Sequence, residues 1–173
     1  MSATNYTMRL IREALTFPGD TGGAMLDQAK LIYLASQERQ ILGFDKAKTL
    51  QALGVTEVPY DMNHSSGVHG WSTKDELAVT RATRYPTRIL WHELGHILCE
   101  HPERKEAGTI SEELGEYEAE MVAYLLANYY NYNESKAESR AYIQGWNKAE
   151  LVLDTKSLGY IREAANKIVK VNL

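Results

Sequence analysis

The chain has 173 residues, 19 Lys and Arg against 23 Asp and Glu, a formal charge of -4, and 44% hydrophobic and 24% charged residues, which is the composition of a folded domain rather than of a disordered or fibrous chain. Cys99 is the single cysteine, so an intramolecular disulfide framework is excluded and a reducing, cytoplasmic setting is expected. No apolar run is long enough for a membrane helix, no apolar stretch near Met1 reads as a secretory leader, and the mild acidity does not support a general nucleic-acid binder.

The length favours one domain over residues 1–173, with a helical N-terminal part over 1–53 and a core with C-terminal helices over 54–173. In residues 4–16, Met8, Ile11 and Leu15 recur at helical spacing, and Pro18-Gly19-Asp20 and Gly22-Gly23 break the pattern. A longer helix is expected over 24–41, before Gly43. Asp45 suits the N-cap of a short helix to Leu53, with Gly54 as its stop.

The pattern then turns to strands. Residues 55–60 suit a strand, and Pro59 puts it at an edge or end. His64-Ser65-Ser66-Gly67 reads as a loop, and 68–71 and 77–80 read as two strands around a turn. A small twisted sheet of about three strands follows, with 77–80 as the edge to which an extended substrate adds.

From Pro86 the chain returns to helix, running through Glu100 to a stop at Pro102. Thr109 and Glu112 form a capping-box pattern that opens a helix over 110–130. Two more helices are expected over 135–153 and 157–171, the first with Tyr142, Trp146, Ala149 and Leu153 as a core-packing stripe. The fold class is therefore α+β and mostly helical.

His92-Glu93-Leu94-Gly95-His96 carries the chemistry. Two histidines four apart on a helix share a face, so both imidazoles can reach one metal ion. Glu93 projects about 100° away from His92 and can reach a water instead, as a general base. A catalytic zinc takes three protein ligands and keeps one position open. A third histidine ten residues after His92 is ruled out, because Pro102 occupies that place and His101 is one residue off.

A carboxylate of the next helix is the better third ligand. Glu116 lies 20 residues after His96 and Glu120 one turn further. Glu116, Ala119, Glu120, Ala123 and Ala127 form one stripe of carboxylates and alanines, and the alanines let this helix approach the His92–His96 helix closely. The spacing favours Glu116 as ligand, with Glu120 hydrogen-bonded to the outer nitrogen of His92 or His96. The reverse assignment stays open. Glu112, Glu113 and Glu118 read as surface charges.

The stretch from Trp91 to Leu98, with Glu116-Tyr117-Glu118-Ala119-Glu120-Met121-Val122-Ala123-Tyr124, resembles the gluzincin side of the zincin metallopeptidases. It is most similar to ImmA/IrrE-type proteases and to the metallopeptidase domain of ArdC-like antirestriction proteins. Val68-His69-Gly70-Trp71-Ser72 with Leu77-Ala78-Val79 looks like that group's hairpin before the active helix, and Tyr142-Ile143-Gln144-Gly145-Trp146 like the Tyr-Ile-x-x-Trp segment of ArdC-like proteins. The resemblance implies a zincin-like fold, a zinc ion on His92, His96 and Glu116, Glu93 as general base, and Glu120 behind a histidine. It implies hydrolysis of a peptide bond in a protein or peptide substrate, such as a regulatory protein of a bacterium or phage. Two other classes compete: a DNA-binding antirestriction protein whose metal is mainly structural, and a module that sequesters a repressor without cleaving it. Oligomeric state is not legible.

Among the remaining residues, Cys99 reads as a small buried side chain. Arg88, one turn before His92, suits a pair with an acid of the neighbouring helix; Arg81 and Arg84 are too few to make a nucleic-acid surface. Tyr85, Tyr117 and Tyr124 are candidate oxyanion donors. His64 and His69 read as surface histidines.

Overall fold

Short elements capped by local side chains build most of this fold. The computed structural model describes residues 41–61, 69–80, 83, 85–132 and 153–173, and Thr83 aside these belong to one structural unit. The helices expected over 4–16, 24–41 and 135–153 lie outside the described residues, except for Ile41, which is not helical, and Leu153.

Helix α1, Lys46–Leu53, starts and stops where its sequence signals stand. The Asp45 carboxylate accepts from the Lys48 amide at 2.9 Å, and Gly54 leaves the helix at φ 68. The strands are β1 (Thr56–Glu57), β2 (Gly70–Ser72) and β3 (Glu76–Val79). They form a mixed sheet in the order β1-β3-β2, with β1 parallel and β2 antiparallel to β3. The register pairs Gly70 with Val79, Trp71 with Ala78 and Ser72 with Leu77.

The expectation that 77–80 forms the open edge is wrong. β3 is the central strand, because the chain after α1 pairs along its far side, with Val58 N–H donating to the Leu77 carbonyl at 2.9 Å. Leu77 and Ala78 point to opposite faces and are both fully buried, as a strand covered on both sides requires.

Helix α2, Pro86–Leu98, has Pro86 in its first turn, where a missing N–H costs nothing. It does not run to Glu100. Glu100 takes a left-handed backbone, φ 59, and turns the chain into a second short helix, α3, His101–Glu106. Pro102 therefore opens a helix instead of ending one, for the same reason that Pro86 does. The turn at Glu100 folds His101 back towards α2.

Helix α4, Glu112–Tyr129, is capped by Ser111, whose hydroxyl accepts from the Leu114 amide at 3.2 Å. Thr109, the expected cap, donates its hydroxyl to the Arg104 carbonyl at 3.1 Å instead. Helix α5, Thr155–Asn172, is capped by Asp154 and ends beside α1, where Asn172 accepts from the Asp45 amide and donates to Thr49.

The core lies between α2, α4 and α5. It holds Leu90, Trp91 and Leu94 of α2, Val122, Ala123, Leu126 and Ala127 of α4, and Ile161, Ala164 and Ile168 of α5. Trp91 stacks on Tyr130 at 5.6 Å between ring centres. The described residues thus form an α+β arrangement with a small three-stranded sheet. None of their helices is long and apolar enough to cross a membrane.

Candidate metal centre

The meeting of α2 and α4 sets the site. A Cβ on Gly95 would stand 2.9 Å from the Cα of Ala119, so these helices touch backbone to backbone at that point. The four-residue spacing on α2 then turns His92 and His96 to the same side, towards Glu116 and Glu120 of α4. His92 Nε2 and His96 Nε2 are 3.1 Å apart. Glu116 lies against both, Oε2 at 3.4 Å from His92 Nε2 and Oε1 at 3.4 Å from His96 Nε2.

These separations fit a tetrahedral zinc. Ligand atoms about 2.0–2.2 Å from such an ion stand roughly 3.3–3.6 Å from one another. Two imidazole nitrogens and one carboxylate are also the donor chemistry that zinc takes. The side chains of His92, His96 and Glu116 keep 14%, 11% and 27% of their exposure, which leaves one side of the cluster open to solvent.

Two lone pairs 3.1 Å apart repel unless a cation or a proton lies between them. Without an ion, His92 takes the proton. Burial disfavours its charge, but hydrogen bonds to Glu116 and Glu120, with Glu93 close by, outweigh burial and raise its pKa to about 9. Burial and the adjacent His92 charge push His96 down to about 3. Burial alone would raise Glu116; its hydrogen bond to His92 and the nearby His96 prevail and lower it to about 2. The pair therefore carries one positive charge at neutral pH, one proton more than two neutral rings.

Glu120 plays a different part from Glu116. Its Oε2 lies 3.2 Å from His92 Nδ1, and its Oε1 accepts from Arg88 Nη2 at 2.6 Å. The two carboxylates thus take different places: Glu116, which the spacing favours as ligand, faces both Nε2 atoms, and Glu120 faces the back of one ring. Arg88 pairs with an acid of the neighbouring helix, as its position predicts.

Glu93 is buried beside this cluster, and the sheet holds it. Ser72 of β2 donates its hydroxyl to Glu93 Oε2 at 2.8 Å. A Cβ on Gly70 would stand 2.7 Å from Glu93 Oε1, so this strand glycine makes room for the carboxylate. Burial raises the pKa of Glu93, while His92 and the Ser72 hydroxyl oppose the rise. Neither Gly70 nor Ser72 was singled out by sequence reasoning; a glycine inside a strand was the available signal.

Glu118 departs from its sequence expectation. It is no surface charge but fully buried. It sits one turn before Val122, on the apolar side of α4, and burial is tolerated because Arg104 grips it with both Nη nitrogens. Burial would raise its pKa, but hydrogen bonds from His101, Arg104 and Ser157 lower it to about 2. His101, which the spacing excludes as a ligand, packs behind His96 with its Nδ1 2.8 Å from His96 Nδ1. Glu112 and Glu113 are exposed.

Cys99 is buried in the core, and its thiol is pushed up to about 12 by burial and by Glu118. Tyr85 is also a core residue, edge-on to Tyr132 at 6.2 Å, Tyr117 is buried, and Tyr124 is half-buried. His69 is exposed, and His64, Arg81 and Arg84 lie outside the described residues. No family model, curated protein or solved structure matches the chain.

Proposed function

We propose that this chain is a zinc-dependent metallopeptidase of the zincin kind, in which His92, His96 and Glu116 hold the ion and Glu93 is the general base. The observation that carries this reading is that His92 Nε2 and His96 Nε2 stand 3.1 Å apart, with Glu116 Oε2 3.4 Å from the first and Glu116 Oε1 3.4 Å from the second. Three protein ligands leave one position of a tetrahedral ion for water or substrate, as a catalytic site requires and a structural site does not. Zinc, when bound there, lowers the pKa of water and polarises a carbonyl.

The chain's own residues supply the proton transfers. Glu93 takes a proton from the attacking water as its oxygen bonds to the scissile carbonyl carbon. It then gives that proton to the nitrogen as the C–N bond breaks. Burial raises the pKa of the Glu93 carboxyl, the direction that favours proton transfer, and the Ser72 hydroxyl holds its orientation. Glu120, tied to Arg88, holds the ring of His92 in place.

The substrate strand is assigned to β2. Among the described residues β2 pairs only with β3, and it carries both Gly70 and Ser72 beside Glu93. An extended peptide added to that edge lies next to the base. The test is a peptide library incubated with zinc-loaded protein and read by mass spectrometry. Cleavage by the wild type that is absent in Glu93→Gln supports the proposal. Equal cleavage by both, or none by either, refutes it.

A further inference from the structure

We propose that His101, anchored by Glu118 and Arg104, is a positioning residue of this centre: a ring-to-ring hydrogen bond fixes His96 in the tautomer that leaves its Nε2 free for an ion. The inference rests on the metal-centre reading for its purpose, but not for its hydrogen bonds.

Arg104, Glu118, His101 and His96 form a buried row of donors and acceptors. Arg104 donates to both oxygens of Glu118, with Nη2 to Oε1 at 3.0 Å, and also to the Cys99 carbonyl at 3.0 Å. A carboxylate so paired can only accept. His101 Nε2, 2.9 Å from Glu118 Oε2, must therefore carry a hydrogen. Arg104 already balances the charge of Glu118. His101 is 1% exposed, so a second positive charge there would be buried without a counter-ion. With Nε2 carrying the ring's hydrogen, Nδ1 is left to offer a lone pair.

Across 2.8 Å stands His96 Nδ1. Two lone pairs cannot face each other at that distance, so His96 Nδ1 carries the hydrogen and donates it. A neutral imidazole has one N–H, which leaves Nε2 of His96 as a lone pair directed at His92 and Glu116. Once its extra proton has left, His92 reaches the same state by a shorter route, with Nδ1 against Glu120 and Arg88 behind. Each histidine thus backs onto a carboxylate–arginine pair, one directly and one through a third imidazole.

The same residues also invite a different assignment. Ligand atoms of Cys99, His101 and Glu118 lie within 4.8 Å of one another, as in a second metal site. The Arg104 guanidinium on Glu118 opposes a cation there, and the Cys99 thiol is held protonated. Hydrogen bonds already use both His101 nitrogens and both Glu118 oxygens. The row is built to orient, not to ligate.

The test joins a spectroscopic signature to a metal titration on the full chain. Long-range proton–nitrogen-15 correlation of the metal-free protein near neutral pH reports each ring. The expected result is His96 as the Nδ1–H form and His101 as the neutral Nε2–H form. His96 as Nε2–H, or a doubly protonated His101, overturns the proposal. Zinc affinity against a competing chelator then compares His101→Leu, which can neither accept nor donate, with His101→Gln, which can do both. Leu weakens zinc about 10- to 100-fold and Gln restores most of it; wild-type affinity in a folded His101→Leu overturns the proposal. Should His101→Leu fail to fold, the wild-type tautomers alone decide. A wild type that binds no zinc sinks the metal-centre reading, while the tautomers still judge the row.

Discussion

Gly95 and Ala119 meet so closely that a Cβ on Gly95 would stand 2.9 Å from the Ala119 Cα and 3.1 Å from its carbonyl oxygen. The atoms in the way are backbone, so no side chain can rotate aside. Overpacking costs about 1–3 kcal/mol, occasionally more, against about 1 kcal/mol of helix propensity gained on replacing Gly by Ala. Gly95→Ala is therefore expected to lose about 1 kcal/mol net in urea unfolding and to weaken zinc binding, because α2 and α4 must separate. A variant as stable as the wild type would show that the contact does not set the site.

Zinc affinity is expected to depend on pH with a definite sign. The His92–His96 pair holds one extra proton when metal-free, with His92 raised to about 9 and His96 lowered to about 3. An ion must displace that proton, so binding at neutral pH releases about one proton from the pair and tightens about tenfold per pH unit between about 6 and 8. Calorimetry in buffers of different ionisation enthalpy measures the release. The metal-free protein behaves oppositely. A folded pKa above the unfolded 6.5 gives stability that is fully present below 6.5 and lost as pH rises through about 9.

Glu93 and Ser72 separate under kinetics. Glu93→Gln keeps the shape of the site and is expected to lose about 10²- to 10⁴-fold in kcat while retaining zinc. Ser72→Ala removes the 2.8 Å hydrogen bond that opposes the rise in Glu93 pKa. The acid limb of its pH–rate profile should move to higher pH, with metal content unchanged. A limb that stays in place means Ser72 does not act on the base.

If zinc binds as proposed, removing it is expected to lower thermal stability. A ligand that binds only the folded state at a thousand times its Kd adds about 4 kcal/mol. For a domain of this size that is a shift of about 10 °C, at about 2–4 °C per kcal/mol. Scanning calorimetry with and without a chelator reads the shift, and His92→Ala should abolish it.

Much of this architecture is legible in local spacing. Four residues between His92 and His96 suffice to put them on one face, and the Glu116–Ala119–Glu120–Ala123 stripe marks the face of α4 that meets α2. What local spacing hides are pairings made at a distance. Arg104 and Glu118 are 14 residues apart and meet only because Glu100, a non-glycine, turns left-handed and lets Pro102 begin a helix. A buried ion pair leaves no periodic trace, so Glu118 reads as one more surface acid. The central place of β3 is hidden for a similar reason: two-residue β1 is too short to announce its partner. Thr109 and Ser111 are both good caps, and only the path of the Arg104 carbonyl decides between them.

Metal content is the most direct test of the central claim that His92, His96 and Glu116 form one zinc site. Wild type, His92→Ala, Glu116→Ala and Cys99→Ser, each saturated with zinc and then desalted, are measured by inductively coupled plasma mass spectrometry. The account predicts about one zinc per chain in the wild type and in Cys99→Ser, and none in His92→Ala or Glu116→Ala. A wild type without zinc contradicts it. So does a Glu116→Ala variant that keeps its zinc while Cys99→Ser loses it.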